Sequence, residues 1–135
     1  MLVIIKTDGA SHGNPGPAAI GAVIRDKQGK ILANISQAIG ETTNNQAEYR
    51  AIIAALEKAL ALGATNVFLL TDSELIERQL KGEYRIRKAS LMPLYLRVKQ
   101  LESQLRGFGI THIPGEENEE AHNLANRALK RAGAP

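Results

Sequence analysis

The sequence contains no cysteine. That excludes a disulfide framework, a thiolate metal site and a cysteine nucleophile. It has no run of about 18 apolar residues, so no membrane-spanning helix is expected. The first residues go straight into an apolar strand pattern, without the basic, apolar and small-residue sections of a signal peptide. A cytoplasmic protein without membrane association is the expectation that follows, and a monomer is expected. No internal repeat, low-complexity tract or linker composition interrupts the 135 residues, a length suited to one domain. Aspartate is also scarce, with only Asp8, Asp26 and Asp72. Hydrophobic residues make up 44%, enough for a real core, and a formal charge of +3 with pI about 9.3 permits a polyanionic partner without demanding one.

The opening stretch Leu2-Val3-Ile4-Ile5 reads as a strand buried on both faces, central in a sheet covered by helices. It runs out at Asp8, and Gly9 is expected to turn the chain. A glycine- and proline-rich loop over 10–17 follows. Ile20 to Arg25 and Lys30 to Ile39 read as two further strands of an antiparallel meander, the latter with Ile31, Ala33, Ile35 and Ile39 on one face. Asn45 to Leu62 is a helix with alanine at every fourth position from Ala47 to Ala59, suited to close packing on a sheet. Val67 to Asp72 repeats the opening pattern of an apolar strand followed by Thr-Asp. Ser73 caps a short helix, Gly82 to Lys88 is a basic loop, and Ser90 is expected to cap a helix reaching Leu105. Phe108 to Ile113 is the last strand, and Asn118 caps the final helix.

This order predicts an α/β fold: a five-stranded mixed sheet, three antiparallel strands then two parallel, with helices on both faces. Helical crossovers make the last two strands parallel to the first. Asp8 and Asp72 then emerge side by side on one edge. Two carboxylates brought together repel unless a cation holds them. Glu48 supplies a third acid from an otherwise apolar helix, where burial of a charge needs a reason. Three hard oxygen donors suit Mg²⁺ or Mn²⁺.

Four blocks then carry a family resemblance: Thr7-Asp8-Gly9-Ala10-Ser11 with Gly13-Asn14-Pro15-Gly16-Pro17; Thr42 to Glu48; Thr71-Asp72-Ser73; and His112-Ile113-Pro114 with Asn118-Glu119-Glu120-Ala121 and Leu124-Ala125. Together, and in this order, they resemble a type 1 ribonuclease H over essentially the whole chain, 1–135. The resemblance implies metal-dependent endonucleolytic hydrolysis of the RNA strand in RNA–DNA hybrids with two Mg²⁺ or Mn²⁺ ions. It implies Asp8, Glu48 and Asp72 as metal ligands. Ser11, Asn14, Asn44 and Asn45 would read the minor groove, whose 2′-hydroxyls separate RNA from DNA. Thr43 would grip a backbone phosphate, although a helix cap is its ordinary use. Double-stranded RNA, which also shows 2′-hydroxyls, is a further candidate substrate.

The chain departs from the family pattern at three places. His122 stands where the family usually has a fourth metal acid; imidazole suits Mn²⁺ better than Mg²⁺ and adds no negative charge. Glu119, one turn earlier, is a candidate to compensate. His112 matches a histidine thought to move protons, but lacks the glycine-rich loop around it. The basic, tryptophan-bearing protrusion of some relatives is reduced to Lys81, Arg85, Arg87 and Lys88, in a chain without tryptophan; weaker, salt-sensitive substrate binding is expected.

Overall fold

A computed structural model describes residues 1–133. Strands β1 (Leu2–Ser11), β2 (Gly16–Asp26) and β3 (Ile31–Thr42) form an antiparallel meander, and β4 (Asn66–Thr71) and β5 (Gly107–His112) extend the sheet on the other side of β1. The order is β3-β2-β1-β4-β5, with β1–β4 and β4–β5 parallel. Helices α1 (Asn44–Ala61) and α3 (Met92–Glu102) lie on one face, with the short α2 (Glu74–Leu80) between β4 and α3 in the chain; α4 (Glu119–Arg131) covers the other face. The expected five-stranded mixed sheet with helices on both faces is what forms.

The two faces are filled unequally. Val3, Ile5, Ala22, Ile24, Val67 and Leu69 alternate onto the α1 side and meet Ile52, Leu56 and Val98 in the main core. On the α4 side a small cluster of Ala19, Ala128 and Leu129 packs with Ala10. There the helix rests almost on the strand backbone. A Cβ at Gly21 would lie closer than 3.0 Å to the Ala121 carbonyl oxygen and the Ala125 nitrogen. Polar ties supplement this layer. Arg25 makes a two-pronged pair with Glu120 at 2.9 and 2.6 Å, and Arg131 donates to the Ser36 carbonyl and hydroxyl.

Several local expectations are corrected. Gly9 does not turn the chain; β1 continues to Ser11, and a side chain at Gly9 would strike the α1 backbone at Ala47 and Glu48. Its role is close approach. Ile31 does not share the core face of Ala33 and Ile35. The β2–β3 register slips between Ile24 and Arg25, so Ala33 faces Ile24 while Ile31 faces Arg25 and lies exposed. A bulge of one residue, Leu32, switches the side-chain alternation there. Ser90 does not cap α3. That helix starts from Leu91 with no side-chain cap, and Leu105 lies beyond its end.

Glu77, buried on α2, ties that helix to β5. Its carboxylate accepts from Lys81 at 3.0 Å and from the backbone N–H of His112 at 3.1 Å. Burial pushes this carboxyl up, but the Lys81 hydrogen bond and the His112 amide outweigh it and hold it below the usual glutamate range. A carboxylate depressed in the folded state stabilises the fold above its unfolded value, and the contribution is lost as pH falls through the folded value. Glu77→Gln is therefore expected to cost about 1 kcal/mol at neutral pH. It should also flatten the loss of Tm on acidification below about pH 4.5. Thermal melts of both proteins across acid pH check this; parallel curves would remove Glu77 as a source of the acid dependence.

Candidate active site

Asp8 is held in the interior of β1, paired with Gly21 across β2. Asp72 follows the last residue of β4, where the β1–β4 ladder ends at the Thr7–Thr71 pair. The Thr71 hydroxyl accepts from the Ser73 N–H at 3.1 Å, and Ser73 in turn caps α2 through the Ile76 N–H, so the backbone around Asp72 is fixed on both sides. Glu48 stands in the second turn of α1. The start of that helix is set by a capping box: Thr43 Oγ1 accepts from the Gln46 N–H, and the Gln46 side chain accepts from the Thr43 N–H at 3.1 Å. The Gly9 N–H donates to Glu48 Oε1, a contact that only the glycine lets α1 approach closely enough to make.

Oxygens of Asp8, Glu48 and Asp72 lie within 4.8 Å of one another. Asp8 and Glu48 are each only 5% exposed. Burial pushes the Asp8 carboxyl up, the hydrogen bond from His122 pulls it back in part, and the charge of Asp72 pushes it up again. Burial and then the charge of Asp8 hold Glu48 well above the usual carboxylate range, against the Gly9 hydrogen bond. Three acids that destabilise one another's charge, with hard oxygen donors converging from three elements, fit a divalent cation.

His122 is on α4, with its side chain 55% exposed and Nδ1 at 2.9 Å from Asp8 Oδ2. Its Nε2 lies 2.9 Å from Asn126 Nδ2. It therefore borders the acid cluster by way of Asp8. Glu119 is exposed in the first turn of α4 and is not one of the three clustered acids. His112 ends β5 opposite Thr71, exposed, with its backbone N–H on Glu77.

The polar residues frame the acids. A cleft of about 410 Å³ is lined by Asp8, Ser11, His12, Asn44, Asp72 and His122. Asn14 Oδ1 accepts from the Asn44 N–H at 3.0 Å and so fastens the β1–β2 loop to the start of α1. Asn45 faces a second cavity of about 540 Å³, with Tyr84, Arg85, Arg87 and Lys88 on its walls. Adjacent asparagines thus line two different cavities. Thr43 is engaged in the capping box.

The Reverse transcriptase-like family model matches residues 6–128. Ribonuclease HI of Halobacterium salinarum is 46% identical over 125 residues, 93% of this chain and 63% of that protein. The crystal structure of RNase H1 from that archaeon superimposes with a TM-score of 0.95 over 97% of this chain and 99% of that one, at 44% identity. This chain belongs to the type 1 ribonuclease H family. LC11-RNase H1, whose structure is of a complex with RNA/DNA hybrid, is 40% identical with a TM-score of 0.93, covering 98% of this chain and 99% of that one. The bifunctional protein Rv2228c of Mycobacterium tuberculosis is 43% identical over 98% of this chain, which spans 36% of that protein. This ribonuclease H chain thus spans between about a third and two thirds of these two curated relatives.

Two residues that touch the acid cluster or His122 escaped sequence reasoning. Asn126 lies one turn after His122, a spacing that puts both on one helix face. Asn118 reads as an ordinary cap before Glu119-Glu120. It does occupy the N-cap position of α4, yet makes no side-chain cap hydrogen bond.

Proposed function

We propose that residues 1–135 act as one ribonuclease H domain, a metal-dependent endonuclease that hydrolyses the RNA strand of RNA–DNA hybrids. The observation that carries this reading is the convergence of Asp8, Glu48 and Asp72 within 4.8 Å. These three would hold Mg²⁺ or Mn²⁺, in a pair as the family resemblance implies. Divalent ions bound there supply Lewis acidity toward the attacking water and the leaving 3′ oxygen. The protein's own part is positional. The capping box and Gly9 fix Glu48, β1 fixes Asp8, and the turn after β4 fixes Asp72. His122 is proposed as the fourth member, bonded to Asp8 here and able to join the cation's shell by giving up that contact. His112, on the same sheet edge as Asp72, is proposed to carry protons to and from solvent.

Ser11, Asn14, Asn44 and Asn45 are proposed to read 2′-hydroxyls, with Thr43 at a phosphate. The basic wall of Arg85, Arg87 and Lys88 would take the opposite strand. That arrangement supports hybrid over DNA duplex and leaves double-stranded RNA as a weaker substrate. The test is cleavage of labelled hybrid, double-stranded RNA, single-stranded RNA and DNA, each with Mg²⁺ and with Mn²⁺. Hybrid cleavage that needs metal is expected; equal cleavage of DNA duplex, or none of hybrid with either ion, would sink the proposal. A hybrid with deoxynucleotides replacing a few consecutive ribonucleotides beside a retained ribose should be cut about tenfold more slowly. Two lost hydrogen bonds at about 0.5–1.5 kcal/mol each account for that loss. Initial rates on the chimera and the full hybrid check it.

A further inference from the structure

Asn118 is 0% exposed. Its Nδ2 donates to the Thr7 carbonyl at 2.8 Å and to Asp72 Oδ2 at 3.3 Å. Both acceptors lie where the β1–β4 ladder stops, so one amide bridges β1 next to Asp8 and the turn after β4 that carries Asp72. The other end of the same side chain, Oδ1, is buried with no hydrogen-bond partner among the described residues. An unpartnered buried carbonyl costs stability. Neither core packing nor helix capping accounts for the residue, because the side chain makes no cap and leaves a polar atom unsatisfied. What remains is its donor, aimed at one of the three clustered carboxylates. Since Nδ2 has two oxygen acceptors, the amide can take only the orientation that presents N–H to Asp72.

We infer that Asn118 is a positioning residue that fixes the Asp72 carboxylate in the orientation needed to hold a divalent cation. The inference rests on the reading of the acid cluster as a cation site. Asn118 touches neither substrate nor cation; it acts through Asp72, and through Thr7 it locks that orientation to the strand that bears Asp8. Groups that orient metal-binding side chains typically change cation affinity or activity by about 10- to 100-fold when removed.

The experiment is a Mn²⁺ titration followed by electron paramagnetic resonance on the wild type, Asn118→Leu and Asn118→Ser, with hybrid-cleavage kinetics on the same proteins. Asn118→Leu keeps the volume and removes the donor; Asn118→Ser retains a shorter donor. Val98→Ala, a cavity variant in the buried face of α3, controls for stability loss. Asn118→Leu should raise the Mn²⁺ Kd about tenfold and lower kcat with KM for hybrid unchanged. Asn118→Ser should fall between it and the wild type, and Val98→Ala should bind Mn²⁺ normally. Wild-type Mn²⁺ affinity in both Asn118 variants would overturn the inference. Failure of the wild type itself to bind Mn²⁺ would overturn the cation site instead, so the two failures are distinct. Should the Asn118 variants not fold, the Asn118 side-chain amide resonances in the wild type and in Asp72→Ala decide. A resonance slow to exchange that moves on removal of Asp72 supports the bridge, and one that stays unmoved overturns it.

Discussion

Asp8→Asn is expected to reduce hybrid cleavage by on the order of a thousandfold while leaving hybrid binding largely intact. Lewis-acid stabilisation is worth several kcal/mol, and each ~1.4 kcal/mol is a factor of ten in rate. Asp8 is the acid in contact with the rest of the proposed site: its carboxylate is hydrogen-bonded to His122 and is shifted by the charge of Asp72. The substitution keeps shape and removes charge. The same variant should melt at a higher temperature than the wild type when no metal is present. A carboxyl whose folded pKa is raised binds more protons folded than unfolded, so stability falls as pH rises through the raised value. Above that range the wild type bears the full penalty, which asparagine removes. Added Mn²⁺ should then raise the Tm of the wild type and leave the variant nearly unmoved. Cleavage near the wild-type rate by Asp8→Asn would dismiss the metal reading. A lower metal-free Tm would dismiss the electrostatic one.

Gly9→Ala should be nearly as damaging by a different route. Its Cβ would fall within 3.0 Å of the α1 backbone at Ala47 and Glu48. Backbone cannot rotate away as a side chain can, so α1 must retreat from β1 and carry Glu48 with it. A cost of about 3 kcal/mol, roughly 10 °C in Tm, is expected. Residual activity in the folded fraction should also fall, because the Gly9 N–H donates to Glu48. Gly109→Ala is the control. That position lies in β5 with nothing within 4 Å of its added Cβ and no positive φ. It should change Tm by little. Equal melts for the two alanine variants would show that the α1–β1 spacing is slack.

The sheet and the meeting of its three acids were largely legible in the sequence because the signals were redundant. Two apolar runs each ended in Thr-Asp, and crossover helices made those strands parallel. Their acids therefore had to meet, and they do. A cap at Thr43 was likewise legible locally, while its reciprocal partner Gln46 was not read from the sequence. What escaped depends on distances between elements. Gly9 looks like a turn residue until α1 is seen against its Cα. Asn118 looks like a cap because caps are the commonest use of asparagine before a helix, and only tertiary placement turns its amide toward Asp72. The bulge at Leu32 leaves no mark in composition, yet reverses the facing of Ile31. The family resemblance put His122 at the fourth ligand position; its hydrogen bond to Asp8 and the second contact from Asn126 were not foreseen.

The uneven filling of the two sheet faces bears on how the protein breathes. The α1 face is sealed by branched aliphatic side chains, whereas α4 is secured by alanines, one leucine and exposed polar ties. Opening free energies follow buried apolar contact, so α4 should detach as a unit well before the sheet and α1 come apart. Its amide protons should exchange with solvent earlier than those of α1, and together. Each such excursion withdraws His122 from Asp8 and Asn118 from Asp72, leaving the three acids on an intact sheet and α1. The protein thus keeps its three clustered acids on its most durable layers and hinges His122 on its least.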